Sequence, residues 1–199
     1  MNKKKLKFKK LLNEYRSEFY ELQYVIEVLR DANQEFEVYY RQYCKDKDID
    51  LEKLNREHAP RVSDVFSGQQ GIVKAIEDQK PNAEFDSKKL FRQIARKFHP
   101  DTVDEEDPRK SEYEDAFKRA SSAIDEGNWG QLFDIADQYN LDLEDYDEIN
   151  RSLLLDIDHV RRDIKQKKNT YAWLLIECEE DEGCKKRVVR AFLKHLFNI

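Results

Sequence analysis

The sequence predicts an all-α protein, and three observations lead to that prediction. Glycine and proline are scarce, with 5 and 4 residues among 199, so few positions favour tight turns. Charged residues and the hydrophobic group each make up 39% of the chain, a balance typical of long helices with one solvated face. Apolar residues also recur at alternating spacings of four and three in both terminal thirds, which is a helical period.

The N-terminal segment, residues 1–57, has the longest pattern of this kind. Because no glycine or proline interrupts it, we predict one helix that ends near Tyr43. The period is close to 3.5 residues, which favours a left-handed coiled-coil contact. Asn33 alone breaks an otherwise apolar series. The predicted seam consists of Phe8, Leu12, Tyr15, Phe19, Leu22, Ile26, Leu29, Asn33, Phe36, Tyr40 and Tyr43.

The C-terminal segment, residues 143–199, is predicted to form a helical hairpin. Its first helix has a seam of similar period, made by Leu153, Ile157, Val160 and Ile164, and is expected to continue through residues 173–176. The two seams could pair antiparallel within one chain, or the chain could form a homodimer. In a parallel dimer Asn33 would face its own copy, and in an intramolecular pairing it would lie at the edge of the contact.

The central segment, residues 58–142, contains the breaks that the two ends lack. A short helix is predicted over residues 72–79. Asp86 is placed to cap a second helix, which must end before Pro100 because proline disfavours helical geometry in the preceding residue. A further helix is predicted from Lys110 onward. The apolar residues expected to join these two helices are Leu90, Ile94, Phe98, Tyr113, Phe117, Ala120 and Ile124.

The two helices, joined by a loop that opens with His99-Pro100-Asp101, resemble helices II and III of the J-domain (DnaJ-type) family. In that family the second helix reads basic-basic-apolar-aromatic-basic, then an aliphatic-Ala pair, then Lys-aromatic-His-Pro-Asp. The run KKLFRQIARKFHPD, residues 88–101, follows this order without a gap. The resemblance covers residues 86–126, about a fifth of the chain.

The sequence departs from the family pattern in three places. No Tyr-x-x-Leu-Gly-Val segment marks a first helix, so Ile72, Val73 and Ile76 are the candidates for that role. Thr-Val at 102–103 replaces the Lys-Asn that is common after the tripeptide, and Asn-Trp-Gly at 128–130 stands where the family has a basic fourth helix. These departures bear on the strength of chaperone stimulation more than on the fold.

The resemblance implies a binding protein, not an enzyme, with no cofactor and no metal. J-domains dock on a 70-kDa heat-shock chaperone and accelerate its ATP hydrolysis. By resemblance, His99, Pro100 and Asp101 form the triggering loop, and Asp101 would accept a charge-assisted hydrogen bond from an arginine of the partner. The helical arms would bind a client or an assembly. The residues expected to meet an acidic patch of the chaperone are Lys88, Arg92, Arg96 and Lys97.

A second function is compatible with the same residues. The chain could be a structural or assembly protein, such as part of a larger complex or a virus particle. In that case the J-like unit would be a packing module that no longer stimulates a chaperone.

Composition bears on location and on the remaining partners. No apolar run approaches the ~20 residues of a membrane-spanning helix, and no signal peptide is expected. The three cysteines include no close-spaced pair, which favours a reducing compartment and hence a cytoplasmic location. A metal site at Cys178, Cys184 and His195 would lack a fourth ligand. The net charge of -6 gives no overall attraction to nucleic acid.

Overall fold

A computed structural model describes residues 3–57 and 86–198 of the chain. Within these residues the regular structure is entirely helical, which confirms the all-α prediction. The short helix expected at 72–79, with Ile72, Val73 and Ile76, lies outside the described residues. Residues 51–57 are also helical. The longer helices are α1 (Lys3–Asp46), α2 (Ser87–Phe98), α3 (Lys110–Glu126), α4 (Trp129–Gln138), α5 (Tyr146–Lys168), α6 (Tyr171–Ile176) and α7 (Glu182–Phe197).

The chain divides into two compact units. The first contains Met1–Tyr20 and Lys80–Arg161, and the second contains Glu21–Gln79 and Arg162–Ile199. The boundaries at residues 20/21 and 161/162 fall inside helices, so α1 and α5 each contribute to both units. This division differs from the three consecutive segments predicted at 1–57, 58–142 and 143–199, because a long helix can enter a second core without any turn residue to mark the change.

In the first unit, α5 runs parallel to the first part of α1. The carbonyl oxygen of Lys4 accepts a hydrogen bond from Asn150 Nδ2 at 3.3 Å, and Arg161 lies 2.8 Å from both Glu14 and Glu18. Partner residues therefore advance in the same direction along both helices. The antiparallel pairing expected within one chain is wrong. Antiparallel neighbours follow from short connections, whereas α1 and α5 are separated by the whole central segment.

The buried face of α1 follows the predicted seam at first and then leaves it. Phe8 and Leu12 are buried as predicted. Further along, Val25 is buried while Ile26 is 38% exposed, and Asn33 is exposed beside the buried Ala32. Phe36 is buried on the predicted seam again. The departures lie after residue 20, where α1 enters the second unit and packs against other helices. The exposure of Asn33 agrees with a place at the edge of the intramolecular contact, and its role in a parallel dimer stays a prediction.

The second unit is built around aromatic contacts of α1 with α6 and α7. The ring of Phe36 meets that of Phe192 edge to face at a centroid distance of 4.9 Å. Tyr171 contacts Phe192 at 5.4 Å and donates or accepts a hydrogen bond with His195 Nδ1 at 3.1 Å. Because Tyr171 begins α6 and its partners lie late in α7, the two helices form a hairpin that is shorter than the predicted one. The Thr170 side chain caps α6, so α5 does not continue into it as expected.

Cys178 and Cys184 form a disulfide at the turn of this hairpin, with a Cα–Cα distance of 5.5 Å. Cys44 is a buried free thiol. The expectation that all three cysteines are reduced is wrong for this pair. The turn between α6 and α7 brings together two residues whose sequence spacing is not a recognised pairing signal.

Reduction of this disulfide is expected to lower the free energy of unfolding by about 2 kcal/mol, because the unfolded chain regains the freedom of a short loop. Thermal unfolding with and without a thiol reductant would measure the effect. The Cys184→Ser variant should melt at the same temperature in both conditions. Three titratable thiols in the unreduced, denatured protein would contradict the pairing.

Within residues 3–57 and 86–198, no helix combines the length and the apolar character needed to cross a bilayer.

Candidate functional site

Helix α2 carries most of the candidate site, and local sequence explains where it begins and ends. The Asp86 side chain accepts a hydrogen bond from the Lys89 backbone N–H at 2.9 Å, as the sequence predicts for an N-cap. Leu90, Ile94 and Phe98 share the buried face. The helix ends at His99, whose backbone is extended (φ -62°, ψ 134°) as a residue before proline requires.

Helix α3 packs antiparallel to α2. Phe98 contacts Tyr113 at a ring-centroid distance of 5.1 Å, and Phe91 stacks on Phe117 at 6.0 Å. The buried face of α3 differs from the prediction, since Phe117 and Ile124 are only half-buried. Small side chains occupy the contact and let the two helices approach closely, while the larger ones flank it. The buried residues of α3 are Tyr113, Ala116, Ala120 and Ala123.

The His-Pro-Asp loop, residues 99–101, lies between these two helices. The His99 carbonyl accepts hydrogen bonds from the backbone N–H groups of Thr102 at 2.8 Å and Val103 at 3.2 Å, which close the turn. The Asp101 N–H donates to His99 Nδ1 at 3.2 Å. This bond requires an unprotonated Nδ1, so the loop geometry specifies which imidazole nitrogen carries the proton in the neutral ring.

The three residues of the His-Pro-Asp loop differ in how far their side chains are exposed to solvent. The Asp101 side chain is 87% exposed and its carboxylate lies 3.6 Å from His99 Nδ1. Pro100 is also exposed, whereas the His99 side chain is 41% exposed. One reason is Phe117, whose ring meets the imidazole at a centroid distance of 4.9 Å and an angle of 69°. Sequence reasoning assigned Phe117 to the core and missed its contact with His99.

Three of the four predicted chaperone-binding cations form an open surface, which we call the basic face: Lys88, Arg92 and Arg96. They follow one another at intervals of four residues along α2 and are all exposed. None of them has an ion pair with a residue in 3–57 or 86–198. Lys97 is placed differently, because its Nζ donates to the Tyr139 carbonyl at 3.3 Å and lies over the Phe98 ring at 5.6 Å.

Helix α4 and Tyr139, the residue that follows it, contact the helices that carry the candidate site. Tyr139 contacts the Phe98 ring at 4.5 Å and donates through its hydroxyl to Glu112 at 2.9 Å. Burial and this hydrogen bond raise the pKa of Tyr139 to about 12. An acidic residue of α4 forms ion pairs with basic side chains of other helices: Asp134 lies 2.6 Å from Arg16 and 3.1 Å from Arg119. This helix is thus acidic where the J-domain family has a basic one.

A buried carboxylate holds the start of α4. Asp156 accepts a hydrogen bond from the Gly130 N–H at 2.5 Å, and Tyr15 donates to the capping side chain of Asn128 at 2.8 Å. Gly130 is required here, because a Cβ would lie within 2.6 Å of the Tyr15 ring. Burial raises the pKa of Asp156 to about 7, against the lowering effect of the N–H donors of Gly130 and Trp129.

This raised pKa predicts a pH-dependent stability. An unfolded aspartate loses its proton near pH 3.9, whereas Asp156 in the folded chain keeps it to about pH 7. Between these values only the folded state keeps the Asp156 proton, so the contribution of Asp156 to the free energy of unfolding should fall as pH rises from about 4 to 7 and then level off. In urea unfolding across that range, the free energy of the wild type should therefore fall relative to that of Asp156→Asn. Equal slopes for both proteins would contradict the prediction.

No protein-family model matches the chain, and the searches of curated proteins and of solved structures also find no match. The J-domain resemblance therefore rests on the residues of α2, the His-Pro-Asp loop and α3.

Proposed function

We propose that the chain is a J-domain-like co-chaperone that docks on a 70-kDa heat-shock chaperone and stimulates its ATPase. The observation that supports this most directly is the exposed His-Pro-Asp loop at the end of a helix whose basic face has no ion pair with the described residues. The loop and the basic face belong to the same compact unit. A partner with an acidic surface and an arginine near its edge could engage both at once.

Each group has a distinct role in this proposal. The basic face attracts and orients the chaperone before contact, because exposed charges act mainly on encounter. Asp101 then accepts a charge-assisted hydrogen bond from an arginine of the chaperone. Pro100 restricts the loop and lowers the entropy lost on docking. Lys97 has a smaller role than its neighbours, since its ammonium group already contacts the Tyr139 carbonyl.

The proposed activity is a binding activity, and the ATP hydrolysis belongs to the partner. His99 contributes to loop shape through its bond with the Asp101 N–H, and we assign it no proton-transfer step. The exposed faces of the helical arms are the proposed sites for a client or an assembly, because the seams are buried within the chain. The test is a single-turnover ATPase assay with candidate 70-kDa chaperones. Lack of stimulation by the wild-type chain with every candidate would overturn the proposal and favour an assembly module.

Charge reversal on the basic face should weaken docking in a salt-dependent way. We expect Arg92→Glu or Arg96→Glu to raise the concentration needed for half-maximal stimulation by about tenfold at low salt, with a smaller change as salt screens the charges. Lys118→Glu on α3 is the matched control, because Lys118 is 72% exposed and lies outside the basic face. An equal effect of all three changes would contradict a docking role for the basic face.

A further inference from the structure

Helix α7 has a charge opposite to that of the chain as a whole. It contains five basic residues and one acidic residue, whereas the whole chain has a net charge of -6. The basic residues are Lys185, Lys186, Arg187, Arg190 and Lys194. Because such a concentration creates a local positive field, this helix can select partners that the rest of the chain repels.

Several of these cations are free to meet a partner. Lys186, Arg190 and Lys194 are exposed and have no ion pair with a residue in the described parts of the chain. Arg187 lies 4.0 Å from Asp181, at the limit of an ion pair. Arg190 Nε donates to the Tyr43 hydroxyl at 3.1 Å, which holds its side chain in place without neutralising it.

An apolar groove lies beside these cations in the second unit. It has a volume of about 520 Å³, within the range of small-ligand and peptide pockets. Arg190 and Lys194 are among the residues that line it. The apolar side chains that line it are Tyr43, Ile49, Ala191 and Leu193. Leu193 belongs to the buried core, so the groove has a rigid base, whereas Ala191 is exposed and leaves the groove open.

The side chains that line the groove include two cations and no carboxylate. Asp46 accepts a hydrogen bond from Gln42 at 2.6 Å, and Asp50 caps the following helical turn through the Lys53 N–H at 2.9 Å. These hydrogen bonds hold the two carboxylates within their own segment but leave their negative charge in place. The groove itself combines apolar walls with two open cations, which favours a ligand that is both apolar and anionic.

We infer that this groove binds an acidic amphipathic segment of a partner protein. Apolar side chains of that segment enter between Tyr43 and Leu193, and its Asp or Glu side chains meet Arg190 and Lys194. A nucleic acid or another polyphosphate would use the cations but leave the apolar walls empty. A bilayer requires a protruding apolar surface, whereas this one is concave. The surface is separate from the His-Pro-Asp loop and would serve client or assembly selection.

The test uses the full chain and a designed fluorescent peptide. The peptide is an amphipathic helix with Leu and Phe at intervals of three and four residues and Asp and Glu on the other faces, and anisotropy measures its binding. We expect Lys194→Glu and Ala191→Trp each to weaken binding by about tenfold, the first by charge repulsion and the second by filling the groove. Both residues are exposed, so unchanged melting curves should accompany the loss.

Matched controls distinguish recognition in the groove from a general change in the charge of the chain. Arg30→Glu makes the same kind of charge change on a residue that is 70% exposed on α1 and should leave affinity within about twofold. A peptide with Gln and Asn in place of Glu and Asp should bind at least about tenfold more weakly. His99→Gln should leave peptide binding unchanged, so this result does not depend on the proposed chaperone stimulation.

Four outcomes would overturn the inference. They are no binding of the acidic peptide, equal binding of the neutral peptide, displacement of the acidic peptide by single-stranded DNA at comparable concentration, and self-association that Lys194→Glu abolishes. The last two would assign the groove to a polyanion and to a second copy of this chain.

Discussion

Replacing His99 with Gln should abolish stimulation of the chaperone ATPase while the fold persists. The change removes the imidazole that accepts the Asp101 N–H and packs against Phe117, so the loop loses the geometry that presents the Asp101 carboxylate. His99 is 41% exposed and contributes little to the core, so the free energy of unfolding should change by less than about 0.5 kcal/mol. The measurement is a single-turnover ATPase assay beside circular dichroism.

A neighbouring variant provides the control for this experiment. Glu106→Gln alters an exposed residue of the same interhelical connection without touching the His-Pro-Asp loop, and should stimulate like the wild type. Full stimulation by His99→Gln would contradict the assigned role of the loop. In an assembly protein, by contrast, His99→Gln would be silent and loss of function would follow changes on the helical seams.

Replacing Phe98 with Ala should destabilise the first unit by about 3–5 kcal/mol. The side chain is completely buried and contacts the rings of both Tyr113 and Tyr139, so its removal opens a cavity between α2, α3 and the end of α4. A loss of this size is a large fraction of the stability of a typical domain. Urea unfolding of the two proteins would measure it.

The sequence alone predicts the same loss for Phe117→Ala, and the structure changes that expectation. Phe117 is half-buried and flanks the α2–α3 contact, so less apolar surface is lost and less of a cavity forms. Its replacement should therefore cost clearly less stability than that of Phe98, while disturbing His99 more. Equal destabilisation by the two variants would show that both rings are core residues, as the sequence pattern suggests.

Features that depend on residues close together in the chain could be predicted from the sequence. The cap at Asp86, the buried face of α2 and the helix end before Pro100 each follow from interactions within a few residues. The same holds for the all-α class, since the helical period and the lack of turn residues are local properties. The exposure of the cations on the basic face could be predicted as well, because it follows from the same local helical period.

Features that depend on how the helices pack could not be predicted in this way. The parallel pairing of α1 with α5, the burial of Val25 in place of Ile26, and the contact of Lys97 with Tyr139 all depend on how helices meet. The packing of Phe117 on His99 does so too. The Cys178–Cys184 disulfide joins residues only six apart, but it depends on the turn that brings α6 and α7 together. A periodic pattern of apolar residues predicts which face of a helix is buried. Many partner helices, in either orientation, could cover that face. The packing of specific side chains selects one of these arrangements.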